Sequence, residues 1–133
     1  MTEKRGARIL IADDDPVIRQ LLQVNLRIAG FEVEAVASGH RAVERVTADP
    51  PDALILDLMM PGMDGWEVCR LLRADPRFAT LPVVVLTARL WDQERELGTL
   101  HGVAGFVAKP FDPDDVVTAV RRAIDGVAQA AAP

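Results

Sequence analysis

The sequence predicts an α/β domain in which a doubly wound, five-stranded parallel sheet carries helices on both faces. Three observations carry this expectation. Five short apolar runs alternate along the chain with stretches of helical periodicity. The central run, Ala53-Leu54-Ile55-Leu56, is continuously apolar rather than alternating, as a strand buried on both faces must be. Such runs separated by helices pair in parallel, because right-handed crossovers leave few other arrangements.

Taken in order, Met1 to Gly6 is polar and reads as a frayed start, followed by a first strand Arg8-Ile9-Leu10-Ile11-Ala12 that ends in Asp13-Asp14-Asp15. Pro16 is suited to a first helical turn, with an Asp before it as cap. Val17, Ile18, Leu21, Leu22, Val24 and Ile28 then recur at helical spacing, as one wide apolar face, up to the terminator Gly30. Phe31 to Ala35 alternates apolar with polar, which suits a strand near the sheet edge. Ser38 caps a helix carrying Ala42, Val43 and Val46, stopped by Pro50-Pro51.

After the third strand, the turn Pro61-Gly62-Met63-Asp64-Gly65 leads into a helix marked by Trp66, Val68, Cys69, Leu71 and Leu72 and closed near Asp75-Pro76. Pro82-Val83-Val84-Val85-Leu86-Thr87-Ala88 is the fourth apolar run, read as a strand ending on a hydroxyl, and Leu90 to Leu100 reads as a short helix. The fifth strand is Gly105-Phe106-Val107-Ala108, ending on Lys109-Pro110. A last helix from Asp112-Pro113 buries Val116, Val117, Val120 and Ile124. It passes near Gly126 into a tail expected to be a fraying helix end or a cut linker. The expected domain is therefore residues 7–125, with 1–6 and 126–133 as flexible ends, in the flavodoxin-like order 2-1-3-4-5.

At 133 residues the chain fits one domain, and with half its residues hydrophobic it can build a real core. A net charge of -5 without a basic run argues against nucleic acid as a direct partner. The single Cys69 forms no intramolecular disulfide and suits a reducing compartment. There is no signal-like segment and no membrane-spanning stretch, so the expected location is cytoplasmic.

Parallel strands point the same way, and their last residues gather on one edge, where open α/β sheets build ligand sites. Here those residues are Asp13 and Asp14, Asp57, Thr87 and Lys109. Clustered carboxylates repel unless a pKa rises or a cation intervenes. A hard cation such as Mg²⁺ takes one or two carboxylates and leaves room for a phosphoryl oxygen. Asp57 is then a candidate nucleophile toward phosphorus, with Thr87 and Lys109 placed to contact equatorial oxygens.

In these residues the chain resembles the receiver domain of bacterial two-component response regulators. The match covers about residues 7–125 and rests on Ile11 to Pro16, Leu56 to Gly65, Leu86-Thr87-Ala88 and Lys109-Pro110-Phe111. The resemblance implies that Asp57 accepts a phosphoryl group from a sensor histidine kinase or phosphotransfer protein. It implies that Asp13, Asp14, Asp57 and the Met59 carbonyl hold Mg²⁺, that Thr87 and Lys109 bind the phosphoryl oxygens, and that Lys109-Pro110 is cis. A downstream protein target is expected on the face carrying Trp91 and Phe106, where Phe106 switches by packing because it lacks a hydroxyl. Met59 and Arg89, two positions beyond Asp57 and Thr87, are expected to slow hydrolysis of the aspartyl-phosphate. His40 and His101 are expected at the surface.

Two other readings compete. A phosphatase of the haloacid-dehalogenase kind needs a second acid two residues after its nucleophile, where this chain has Met59. A phosphorylation-independent scaffold usually lacks a pocket residue, and none is missing. The expected role is therefore phosphoacceptor rather than enzyme. The tail after residue 125 is too short for an output domain, so the expected form is a stand-alone regulator or an excised receiver.

Overall fold

The computed structural model describes residues 6–88 and 103–131, with side chains as far as Gly126. Strands β1 (Arg8–Ala12), β2 (Glu32–Val36), β3 (Ala53–Asp57), β4 (Val83–Thr87) and β5 (Val103–Ala108) form one all-parallel sheet in the order β2-β1-β3-β4-β5. Helices α1 (Pro16–Ile28), α2 (Gly39–Ala48), α3 (Gly65–Arg73) and α4 (Pro113–Ala131) connect or follow the strands, with a 3₁₀ turn at Pro76–Phe78. The doubly wound fold class is as expected. The segment read as a helix over 90–100, with Trp91, Arg89 and His101, lies outside the described residues.

The alternation of side chains across the sheet divides the core in two. Leu10, Leu54, Leu56, Val83 and Val85 pack with Val46, Val68 and Leu72 on the α2/α3 side. Ile9, Ile11, Ile55, Val84 and Leu86 pack with Leu22, Leu26, Val116 and Val120 on the α1/α4 side. Every residue of β3 and β4 is buried, as central strands covered on both faces should be.

Local signals explain most boundaries. Asp15 caps α1 by accepting from the Val17 N–H at 2.8 Å, and Ser38 and Asp64 cap α2 and α3 in the same way. Gly30 adopts φ +101°, and the Gly30 and Phe31 N–H groups return to the Arg27 and Leu26 carbonyls, a Schellman ending. At the amino edge of the sheet, remote from the carboxyl ends of the strands, the Arg8 guanidinium holds Asp49 and the Pro50 carbonyl, tying β1 to the α2 exit.

Three expectations change. Strand β2 lies one residue later than read, and β5 starts at Val103, two residues earlier. Its pairing with β4 steps from Val83↔Val103 to Val84↔Gly105, so Ala104 is an extra residue in the ladder. Helix α4 continues through Gly126 to Ala131, the helix-end alternative for the tail rather than a change. The largest change concerns α1, which has no single wide buried face. Only Leu22 and Leu26 are fully buried, whereas Val17, Leu21, Val24 and Ile28 form an outward stripe, with Val17 71% and Ile28 80% exposed.

This division predicts opposite outcomes on two sides of one helix. Leu26→Ala should cost about 3 kcal/mol, the usual range for a fully buried leucine, while Ile28→Gln should change stability by less than about 0.5 kcal/mol. Urea unfolding of the two variants measures both.

Candidate functional site

Topology delivers each polar group to the carboxyl edge of the sheet. Asp13 directly follows β1, and its N–H donates to the Val36 carbonyl at 3.2 Å, extending the β1–β2 ladder by one bond. Asp57 is the last residue of β3 and lies in register with Leu86, one residue before Thr87 ends β4. Lys109 follows β5, and its N–H donates to the Thr87 carbonyl at 2.7 Å. The Lys109-Pro110 peptide is cis.

Asp13, Asp57 and Thr87 are the buried polar residues of the described chain. The Lys109 ammonium bridges the two acids, 3.1 Å from Asp13 Oδ2 and 3.4 Å from Asp57 Oδ2. The Met59 N–H donates to Asp57 Oδ1 at 3.1 Å, and the Asp15 N–H to Asp13 Oδ1 at 2.9 Å. Asp14 stands exposed beside them, and one carboxylate oxygen from each of Asp13, Asp14 and Asp57 lies within 4.8 Å of the others.

Close packing of α3 against the end of β3 depends on Gly65. A Cβ there would meet the Asp57 carbonyl oxygen at 2.6 Å and Leu58 Cα at 2.7 Å, both backbone atoms. The Gly65 N–H donates to the Leu58 carbonyl at 3.0 Å, which closes the Pro61 to Asp64 turn over the site.

Burial, reinforced by the neighbouring Asp13 charge, pushes the Asp57 carboxyl up from 3.8 to about 6; the Met59 N–H and Lys109 oppose the rise. Burial alone would lower the Lys109 pKa, but the Asp57 and Asp13 carboxylates outweigh it and hold the ammonium above its usual value. Three carboxylates sharing one ammonium leave an excess of negative charge. An oxygen-only donor set of this kind suits a small hard cation, so the residues present fit Mg²⁺.

The structure thus brings together Asp13, Asp14, Asp57 and Lys109, with Thr87 buried at the adjoining strand end. Met59 contributes its N–H to Asp57, while its side chain points out, 64% exposed. Phe106 lies apart on β5 and is 40% exposed, and His40 is at the surface as expected. Sequence reasoning missed Arg19, whose Nη1 donates to the Asp13 carbonyl at 2.8 Å. Its position one turn into α1, beside an acidic loop, was the available signal.

A flavodoxin-like sheet that gathers an acidic cluster and a lysine on its carboxyl edge defines a class of phosphoryl-handling signalling domains. The profile of the response regulator receiver domain matches residues 9–121, and the chain belongs to that family, a module of two-component phosphorelay signalling. It is 40% identical over 127 residues to the DNA-binding dual master transcriptional regulator RpaA of Synechocystis sp., covering 93% of this chain and 53% of that protein. It is 42% identical over 114 residues to the DNA-binding response regulator MtrA of Mycolicibacterium smegmatis, covering 86% and 49%. The chain therefore spans about half the length of the curated relatives it matches.

Among solved structures, it resembles the chemotaxis response regulator CheY4 of Vibrio cholerae with a TM-score of 0.82 at 30% identity, over 89% of this chain and 98% of that one. The receiver domain of sensor histidine kinase PA1611 from Pseudomonas aeruginosa PAO1, solved with a magnesium ion in its active site cleft, gives 0.82 at 31% identity, over 90% and 98%. These likenesses do not favour the phosphatase and scaffold readings. No helix of the described residues is long and apolar enough to cross a membrane.

A raised Asp57 pKa means that the folded state binds this proton more tightly than the unfolded chain. The charged carboxylate therefore removes stability as pH rises from about 4 to about 6. Without added metal, Asp57→Asn should be more stable than the wild type by about 2–3 kcal/mol at pH 8, and the gain should vanish near pH 4. Urea titrations in EDTA at the two pH values test the sign and the window.

Proposed function

We propose that Asp57 is the phosphoacceptor, taking a phosphoryl group from a phosphohistidine on a sensor kinase or phosphotransfer protein. The observation that carries this reading is the meeting of buried Asp57 with Lys109 at 3.4 Å beside two further carboxylates, in a member of the receiver family. An Asp57 oxygen forms the new bond to phosphorus as the P–N bond breaks, and the departing imidazole takes its proton from solvent. Lys109 leaves its resting contacts to pair with a phosphoryl oxygen, and Thr87, at the end of the neighbouring strand, donates its hydroxyl to another.

Asp13, Asp14, Asp57 and the Met59 carbonyl would hold Mg²⁺, which when bound offsets the charge on the carboxylates and the transferring group. The Met59 thioether offers no hydrogen bond to orient a hydrolytic water, which favours a durable phosphorylated state. The unit is a cytoplasmic phosphoacceptor spanning residues 7–125 rather than a turnover enzyme. Its output passes to a protein target through the face that holds Phe106. Any contact with DNA of the kind named for RpaA and MtrA belongs to a separate domain.

The donor needs a surface beside Asp57, and α1 supplies one. Val17, Leu21, Val24 and Ile28 are spaced 4-3-4, the seam spacing of two helices packed side by side. They lie on a helix that begins at the acidic loop and carries Arg19 and Arg27 but no acidic residue, in a chain of net charge -5. Arg27 is exposed on the same helix and no carboxylate offsets it there, so the occupant is a helix of the phosphodonor with an apolar seam and an acidic flank.

Phosphate uptake from acetyl phosphate should require Mg²⁺ and be abolished by Asp57→Asn; incorporation of ³²P that persists in the variant or in EDTA would remove the site. A second experiment separates chemistry from docking. Val24→Glu with Ile28→Glu should leave uptake from acetyl phosphate within twofold of the wild type, while slowing transfer from any histidine kinase that phosphorylates the wild type at least about tenfold. Equal slowing with both donors would place the defect in the site rather than on α1.

A further inference from the structure

Asp13 is gripped at every polar atom. Its N–H is bound to β2, Oδ1 accepts from the Asp15 N–H, Oδ2 from Lys109, and its carbonyl from Arg19 Nη1 at 2.8 Å. Asp14 is the opposite case, exposed and with no partner for its carboxylate among the described residues. The two residues share one rigid peptide plane, so a bond that fixes the Asp13 carbonyl also fixes the nitrogen and Cα of Asp14. Arg19 is itself anchored to the same loop, since its N–H donates to the Asp15 carbonyl at 3.0 Å. Its guanidinium is half-buried and forms no ion pair among the described residues, although three aspartates stand close by in sequence. The charged fork is therefore committed to a neutral carbonyl, an arrangement that orients the chain rather than neutralising an acid.

We infer that Arg19 is a positioning residue for the cation: by holding the Asp13–Asp14 peptide, it keeps the Asp14 carboxylate aimed at the place where Asp13 and Asp57 converge. The inference rests on the cation site proposed above. Two effects of Arg19 oppose each other, and their signs differ. Its positive charge repels a divalent ion, so on electrostatics alone its removal should tighten Mg²⁺ binding. Its orientation of a ligand strengthens binding, and loss of such an outer partner typically costs about 10–100-fold in metal affinity. The short direct bond to the ligand's own peptide makes orientation the larger effect.

The test is calorimetric titration of the full chain with Mg²⁺ at pH 8, comparing the wild type with Arg19→Met and Arg19→Lys. Arg19→Met should weaken binding about tenfold, and Arg19→Lys, which keeps the charge and one donor, should fall between. At saturating Mg²⁺ the maximal rate of acetyl phosphate uptake should return to the wild-type value, because the ligands themselves remain. Mg²⁺ affinity in Arg19→Met that is unchanged within twofold, or tighter, would overturn the inference. So would a maximal rate that stays low at saturating Mg²⁺, since Arg19 would then support the fold and not the cation ligands. A wild-type chain that binds no Mg²⁺ would instead remove the proposed cation site, whatever the variants do.

Discussion

The bridge from Lys109 to Asp13 and Asp57 is the contact on which the rest of this structure depends. Two buried carboxylates at the mouth of an apolar sheet would be untenable without a compensating charge, since desolvation penalises each and their mutual repulsion adds to it. A single ammonium offsets both, at 3.1 and 3.4 Å, yet leaves a third acid and an excess of negative charge. The centre is stable enough to fold and remains short of positive charge. That residual demand is the physical basis for reading it as a cation and phosphoryl site.

The remainder of the fold holds this bridge at fixed length. Lys109 and Asp13 are 96 residues apart in sequence, and they meet because β1, β3, β4 and β5 run parallel and end on one edge. Backbone bonds carry the order past the strands themselves: Asp13 onto Val36, Leu58 onto Leu86, Lys109 onto Thr87. Gly65 lets α3 approach the Asp57 backbone more closely than any side chain would allow. Rigidity at the site therefore comes from the sheet, and the polar groups are mounted on it at neighbouring ends.

The sheet order and the residues Asp13, Asp14, Asp57, Thr87 and Lys109 were legible in the sequence because topology leaves strand ends little freedom once parallel pairing is recognised. What was not legible had other causes. Periodicity reports that a position on α1 is apolar and not which neighbour covers it, so Val17 and Ile28 were grouped with Leu22 although they face solvent. The tail after Gly126 was left between a helix end and a linker, because its Val-Ala-Gln-Ala-Ala run favours the helix while one glycine costs it about 1 kcal/mol. The early start of β5 follows from the extra residue Ala104, which no alternation pattern reveals. Arg19 escaped notice because a place one turn into α1 beside the acidic loop does not say whether its side chain pairs with a carboxylate, binds the Asp13 carbonyl or stays in solvent.

Helix α1 is secured to the core by a narrow line, with Leu22 and Leu26 its fully buried members, while its opposite line is apolar and open. With a phosphodonor seated on that open line, as proposed, folding and recognition would lie on opposite sides of one cylinder and draw on almost no residues in common. Under mutation the outer line can drift, and with it the set of proteins that dock there, while the inner line keeps the domain intact. A gene duplicate of such a chain can acquire a private signalling channel through a few outward substitutions, without passing through an unfolded ancestor.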